Sequence, residues 1–257
     1  ALPFTGKLNA IARLYRNMNN EPEAHLSVLP SVLWLNDGQW QVEPSDVLYT
    51  TGHLLVDHFS IHNGDQYFTI DGTASKNPRD SLFVVLNEVE VAYILNLVDF
   101  DAVEFSGEAS GRATVTAAFD EPSAHADLSV SHFRFEKVRM GVLTASVDWN
   151  KQEKQIDIRA TADDGPDAQT YINGYVSPER EYLQLDIQGR GTYIDFMHSF
   201  TESFLSNISG HAHGDVRLSG PLSALQLTGQ LIVDGYATVA PLGTTYTLRG
   251  DTVLFIP

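Results

Sequence analysis

"FSGEASGRATV" at residues 105–115 and "ISGHAHGDVRL" at 208–218 carry the same S-G-x-A-x-G phrase, and each opens an alternating apolar stretch. Two copies of a local turn would be a coincidence of glycines. The match runs further. An offset of 103 residues holds without a gap for more than forty positions: Gly107 falls on Gly210, Gly111 on Gly214, Leu128 on Leu231, Val130 on Val233 and Phe133 on Tyr236. It then sets Leu143 and Thr144 on Tyr246 and Thr247, and Asp148 on Asp251. The apolar parity switches after Val130 and again after Val233, which predicts the same bulge in both copies. Few residues are identical, so what repeats is geometry.

Period-two alternation, the mark of a half-buried strand, extends through most of the chain. "YLQLDIQG" (182–189) sets Leu183, Leu185 and Ile187 against Tyr182, Gln184 and Asp186, and "KQIDIRATA" (154–162) does the same with Ile156, Ile158 and Ala160. Turn signals follow at short spacing, among them "NDG" (36–38), "HNGD" (62–65) and "DDGPD" (163–167). Two segments read as short amphipathic helices. "VAYILNLV" aligns Val91, Ile94, Leu95 and Val98. "DFMHSFTESFL" aligns Phe196, Phe200 and Phe204, with Met197 and Leu205 beside them.

The expected fold is therefore mainly β: an elongated, curved β-sheet repeat forming an open groove, with two short amphipathic helices. One continuous segment is expected to comprise units of roughly 4–104, 105–207 and 208–257, the last truncated, each stacking on its neighbour. The ends, "ALPFTG" and "TVLFIP", read as cuts within a longer protein.

Composition narrows the function classes. The 257 residues are enough for a large core. There is no cysteine, so disulfides, thiol catalysis and cysteine-held metals are excluded. A formal charge of −17 argues against nucleic acid as a partner and against anionic lipid surfaces. No stretch reaches the ~20 apolar residues of a membrane-spanning helix.

Candidate chemistry is sparse. His211 and His213 share a strand face roughly 7 Å apart, a metal-ligand spacing, but their partners in the other copy are Glu108 and Ser110. His53, His58 and His62 are too spread for one ion, and Asp163, Asp164 and Asp167 read as a solvated turn. Glu88 with Glu90, or Asp99 with Asp101, would be the carboxylate pair of a glycosidase, but no aromatic sugar platform accompanies them. "NIS" (207–209) is an isolated glycosylation triplet, and no nucleophile elbow, phosphate loop or dinucleotide fingerprint is present. No enzyme activity, cofactor or metal is expected.

Three segments carry a family resemblance: "LPSVLWLNDGQWQVEPSDV" (29–47), 57–100, and "NISGHAHGDVRLSGPLSALQLTGQLIVDGYATVAPLGTTYTLRGDTVLFIP" (207–257). Their order, and the G-x-A-x-G…G-P-L…L-x-G run, resemble the translocation and assembly module (TamB) family of AsmA-like bridge proteins, in the long versions of Bacteroides-type bacteria. The resemblance implies a periplasmic location, with an inner-membrane anchor helix outside this chain. It implies an open β-groove with an apolar interior and cooperation with an outer-membrane barrel of the BamA/TamA type. The implied cargo is phospholipid or unfolded outer-membrane protein, and the implied roles are outer-membrane biogenesis and protein secretion. The segment itself is expected to be monomeric. No single functional residue carries over.

The alternating strands nominate a groove-lining set: Leu128, Val130, Leu143, Val147, Leu183, Leu185, Ile187, Leu231, Val233, Tyr246 and Leu248. The rival expectations are a structural or adhesive β-repeat with a filled core, and a sugar-binding repeat, which the scattered aromatics disfavour.

Overall fold

The computed structural model describes residues 4–35, 38–93, 103–201 and 204–256. They form one large, open, antiparallel sheet of 18 strands. The strands are β1 (Phe4–Lys7), β2 (Ala10–Arg16), β3 (Pro22–Val28), β4 (Ser31–Leu35), β5 (Gly38–Val42), β6 (Ser45–Thr50), β7 (His53–Asn63), β8 (Gln66–Ser75) and β9 (Ser81–Glu90). They continue as β10 (Phe105–Thr116), β11 (Ser123–Phe135), β12 (Val138–Asn150), β13 (Gln155–Asp163), β14 (Gln169–Ser177), β15 (Tyr182–Tyr193), β16 (Leu205–Pro221), β17 (Gln226–Val239) and β18 (Thr244–Phe255).

From β7 to β18 the sheet is a plain meander, each strand pairing with the next. Short turns permit this, because an antiparallel pair needs only a hairpin connection. Near the start the sheet forks on β7. The first half of β7, His53–Asp57, pairs with β6, which leads through β3 to β2. The far half, Ile61–His62, pairs with β5, which leads through β4 to β1.

The two glycine-marked stretches are β10 and β16, and their registers coincide at the 103-residue offset. Ala109 sits opposite Val89 and Val130, and Ala212 opposite Thr192 and Val233. Gly111 sits between Leu86 and Leu128, and Gly214 between Gly189 and Leu231. The glycines are needed for close approach. Gly214 has φ +143, and a methyl group there would run into the carbonyl oxygen of Gln230, while one at Gly111 would meet that of Asp127.

Two sequence expectations are corrected. The parity switch does not recur. In β11 a bulge at His132 (φ 50) turns Phe133 inward, 4% exposed, whereas β17 keeps its alternation and Tyr236 is 46% exposed. The second copy puts its irregularity in the partner strand, at Gly250 (φ 68). The offset also fails in the last strand of each copy. Val130 faces Leu143, but Val233 faces Asp251, so Leu143 corresponds to Asp251 and not to Tyr246. The cause is hairpin length: β11 and β12 join through Glu136 and Lys137, but β17 and β18 through a 3₁₀ turn at Ala240–Leu242 and Gly243.

The second helical segment is shorter than expected. In the first segment residues 91–93 are helical, and the rest of it lies outside the described residues. The second segment is a 3₁₀ turn, Asp195–Met197, followed by a four-residue helix, His198–Thr201. Met197 is buried, Phe204 is 58% exposed, and Leu205 already belongs to β16. Among the described residues no helix is long and apolar enough to cross a membrane.

Candidate functional site: the apolar face

Because paired residues in a sheet share a face, the register assembles cross-strand rows. One runs Phe68, Leu86, Gly111, Leu128, Ala145, Ala160, Ile172, Ile187, Val216, Gly229, Phe255, from β8 to β18 without a polar residue. The parallel row Phe59, Ile70, Val84, Ala113, Ala126, Val147, Ile158, Gly174, Leu185, Leu218, Leu227 is also wholly apolar. Between them, on the opposite face, lies the row Arg112, Asp127, Ser146, Arg159, Asn173, Asp186, Arg217, Thr228. The sheet thus has one oily and one watery face, the consequence of strict alternation.

The apolar face is closed in some places and open in others. Two packed clusters stand at equivalent positions. One is Ala109, Val130, Phe133, Met140 and Ala162. The other is Ala212, Val216, Leu231 and Val233, with Ile194, Met197 and Ile208. Between them the sheet curls on itself. Phe105 lies against Phe133 and Phe135 at ring-centroid distances of 6.0 and 5.4 Å, and Phe135 reaches Phe196, beyond β15, at 5.3 Å. These rings, with Ile172, Leu185 and Leu218, enclose an apolar cavity of about 80 Å³. Its polar neighbours Thr170 and Thr192 hydrogen-bond each other at 2.7 Å, so they present no unpaired group to the cavity.

The nominated set therefore divides. Val130, Leu183, Leu231 and Val233 are 2–5% exposed; Val130, Leu231 and Val233 belong to the packed clusters and Leu183 lines the small cavity. Leu128, Leu143, Val147, Leu185, Ile187 and Leu248 are half-buried. Tyr246, opposite Ala237 on the last strand, is 49% exposed. Alternation alone did not single out Phe105, Phe135, Met140 or Ile172. The signal was present in "HFRFEKVRM" (132–140), where two phenylalanines follow the parity change.

The polar candidates meet local partners. His211 and His213 flank the kink at Gly191 (φ 70): the Gly191 N–H donates to His213 Nδ1, and His211 Nδ1 contacts the Gly191 carbonyl. Asp164 Oδ1 accepts two hydrogen bonds from the Arg139 guanidinium, and the Gly165 N–H donates to Asp163. Glu88 sits in a bulge at φ 53, its N–H donating to Ser110; Asp99 and Asp101 lie outside the described residues. Of the three β7 histidines, His62 pairs with Glu43 at 2.8 Å and His58 with Asp71 at 3.2 Å. On the polar face His125 sits between Asp148 and Asp127, which raise its pKa above the ordinary histidine value. The His125 bond in turn holds the Asp148 carboxyl below its usual range.

Comparison with protein-family models, curated proteins and solved structures gives no match.

Proposed function

We propose that the chain is a segment of a TamB-like bridge protein in the periplasm, and that its apolar face shelters acyl chains or nascent outer-membrane strands from water between two membranes. One observation carries this reading. The uninterrupted apolar rows extend over eleven strands, roughly 50 Å at the usual strand spacing, and much of that face is only half-buried. A face of that size left partly open is a binding surface for something apolar. Each sheltered CH₂ contributes roughly 0.8 kcal/mol, so a lipid needs a continuous path more than specific contacts. The partner in this reading is an outer-membrane barrel of the BamA/TamA type.

A second reading, a structural repeat with a filled interior and no cargo, draws on the packed clusters and the small cavity. A space of about 80 Å³ is well below the ~300–1,000 Å³ of ordinary ligand pockets. Native mass spectrometry of the purified chain separates the two. Co-purifying phospholipid, displaced by Val147→Asp, supports the shelter. A bare mass from gentle extraction, with no uptake from added phospholipid, supports the filled repeat.

A further inference from the structure

The fork on β7 builds a second small surface, independent of the apolar face. In the β1–β4–β5 branch, Leu35, Trp40 and Val42 turn inward and are 1–7% exposed. Alternation therefore turns Val32 and Trp34 to the opposite side, where they are 40% and 44% exposed. The register sets Trp34 directly opposite Gln39 and Val32 opposite Gln41, with Lys7 beside Val32 on the other flank. Together they line an open trough of about 720 Å³.

We propose that this trough is a saccharide-binding site. An exposed tryptophan ring presents a flat, electron-rich face, and the C–H face of a pyranose is its electrostatic complement. Each glutamine amide offers both donors and an acceptor, the mixed set that vicinal hydroxyls require. The side-chain amides of Gln39 and Gln41 make no hydrogen bond with other described residues, so both face a ligand unpaired. Val32 and Trp34 stand ~7 Å apart along one strand, with the amides on the next strand ~5 Å away, spacings on the scale of adjoining sugar rings. The exposed apolar side chains of the lining, Pro30, Val32 and Trp34, are too few for a stable protein interface, which needs about 800 Å² from each partner. The trough also carries little net charge, with Lys7 balanced by Glu43, which is itself paired with His62. That composition suits a neutral sugar chain better than an acidic or basic peptide.

The test is calorimetric titration of the chain with chitohexaose and with cellohexaose. At least one should bind. Preference for chitohexaose would show that the site uses the acetamido group, and equal binding that it reads only the ring and its hydroxyls. Trp34→Ala should weaken binding at least about tenfold, whereas Trp34→Phe, which keeps an aromatic face, should stay within about threefold. Both should melt as the parent does, since the side chain is substantially exposed. If Trp34→Ala does not fold, Gln39→Ala with Gln41→Ala decides by the same loss. The proposal is overturned if neither hexasaccharide binds at millimolar concentration. It is equally overturned if binding survives Trp34→Ala unchanged, or if the trough proves to be a self-association surface that Trp34→Ala abolishes without any sugar binding.

Discussion

Glu88 and Gly191 occupy the same place in the sheet 103 residues apart. Each breaks the extended run of its strand at positive φ, 53° and 70°, just before the helical turn. Each lies opposite the S-G-x-A-x-G strand between matching register pairs, Val89–Ala109 and Leu86–Gly111 in one copy, Thr192–Ala212 and Gly189–Gly214 in the other. The kink is thus a property of the unit, and the side chain that bears it is not.

The two positions should respond oppositely to substitution. At Gly191 a methyl group would run into the carbonyl oxygen of Asp167, a backbone atom that cannot swing away. Gly191→Ala should therefore cost about 1–3 kcal/mol. Glu88→Gly relieves a left-handed non-glycine residue and should be neutral or stabilising by up to about 1 kcal/mol. Urea unfolding of both variants checks this; equal destabilisation would remove the shared kink as an explanation.

Charge placed on the apolar face should separate its filled and open parts. Val233 is 2% exposed within a packed cluster, so Val233→Asp buries an unpaired carboxylate and should cost several kcal/mol, enough to unfold a marginal domain. Val130→Asp should behave alike, at 5% exposure in the equivalent cluster. Val147 is half-buried, and an aspartate there keeps contact with water. Val147→Asp should melt within a few degrees of the parent yet lose co-purifying lipid, read by calorimetry and native mass spectrometry.

Phe196 spans the curl to Phe135, on the far side of the cavity. Truncating it removes an aromatic pair worth ~0.5–1.5 kcal/mol and part of its buried area. Phe196→Ala should destabilise by about 2–3 kcal/mol, less than the ~3–5 of a fully buried phenylalanine. Because the cavity widens, lipid uptake should be retained or increased. Loss of uptake with a normal melt would mean that the ring contacts cargo directly.

The polar face should impart a pH dependence at His125. Its pKa is raised by Asp148 and Asp127, so its stabilisation is fully present below the unfolded value of about 6.5 and is lost as pH rises through the higher folded value. The Asp148 carboxyl, held low, contributes in the opposite direction: its share is lost only as pH falls through its depressed folded value. The site is solvent-screened, with the histidine side chain 48% exposed, so the effect is small. Melting temperature measured from pH 5.5 to 8.5 should fall slightly at the upper end, and His125→Gln should flatten that decline. An unchanged profile in the variant would assign the decline to other groups.

Local pattern determined much of this protein. Alternation in "YLQLDIQG" and "KQIDIRATA" is a property of neighbouring residues, and it determined both the strands and which side chains share a face. The repeated glycine phrase likewise marked β10 and β16, because close backbone approach excludes any other residue there. Tertiary structure decided the rest. Val130 and Leu128 have the same pattern, yet one is packed and the other half-open. What differs is what packs on each: Ala109, Phe133, Met140 and Ala162, with Phe105 and Phe135 beside them, close over Val130. The five-residue slip that places Asp251 opposite Val233 follows from a longer hairpin. The trough at Trp34 exists only because β7 divides its pairing between β6 and β5. A strand's period specifies its two faces, but what lies over each face is set by contacts between distant segments, and those have no periodicity to read.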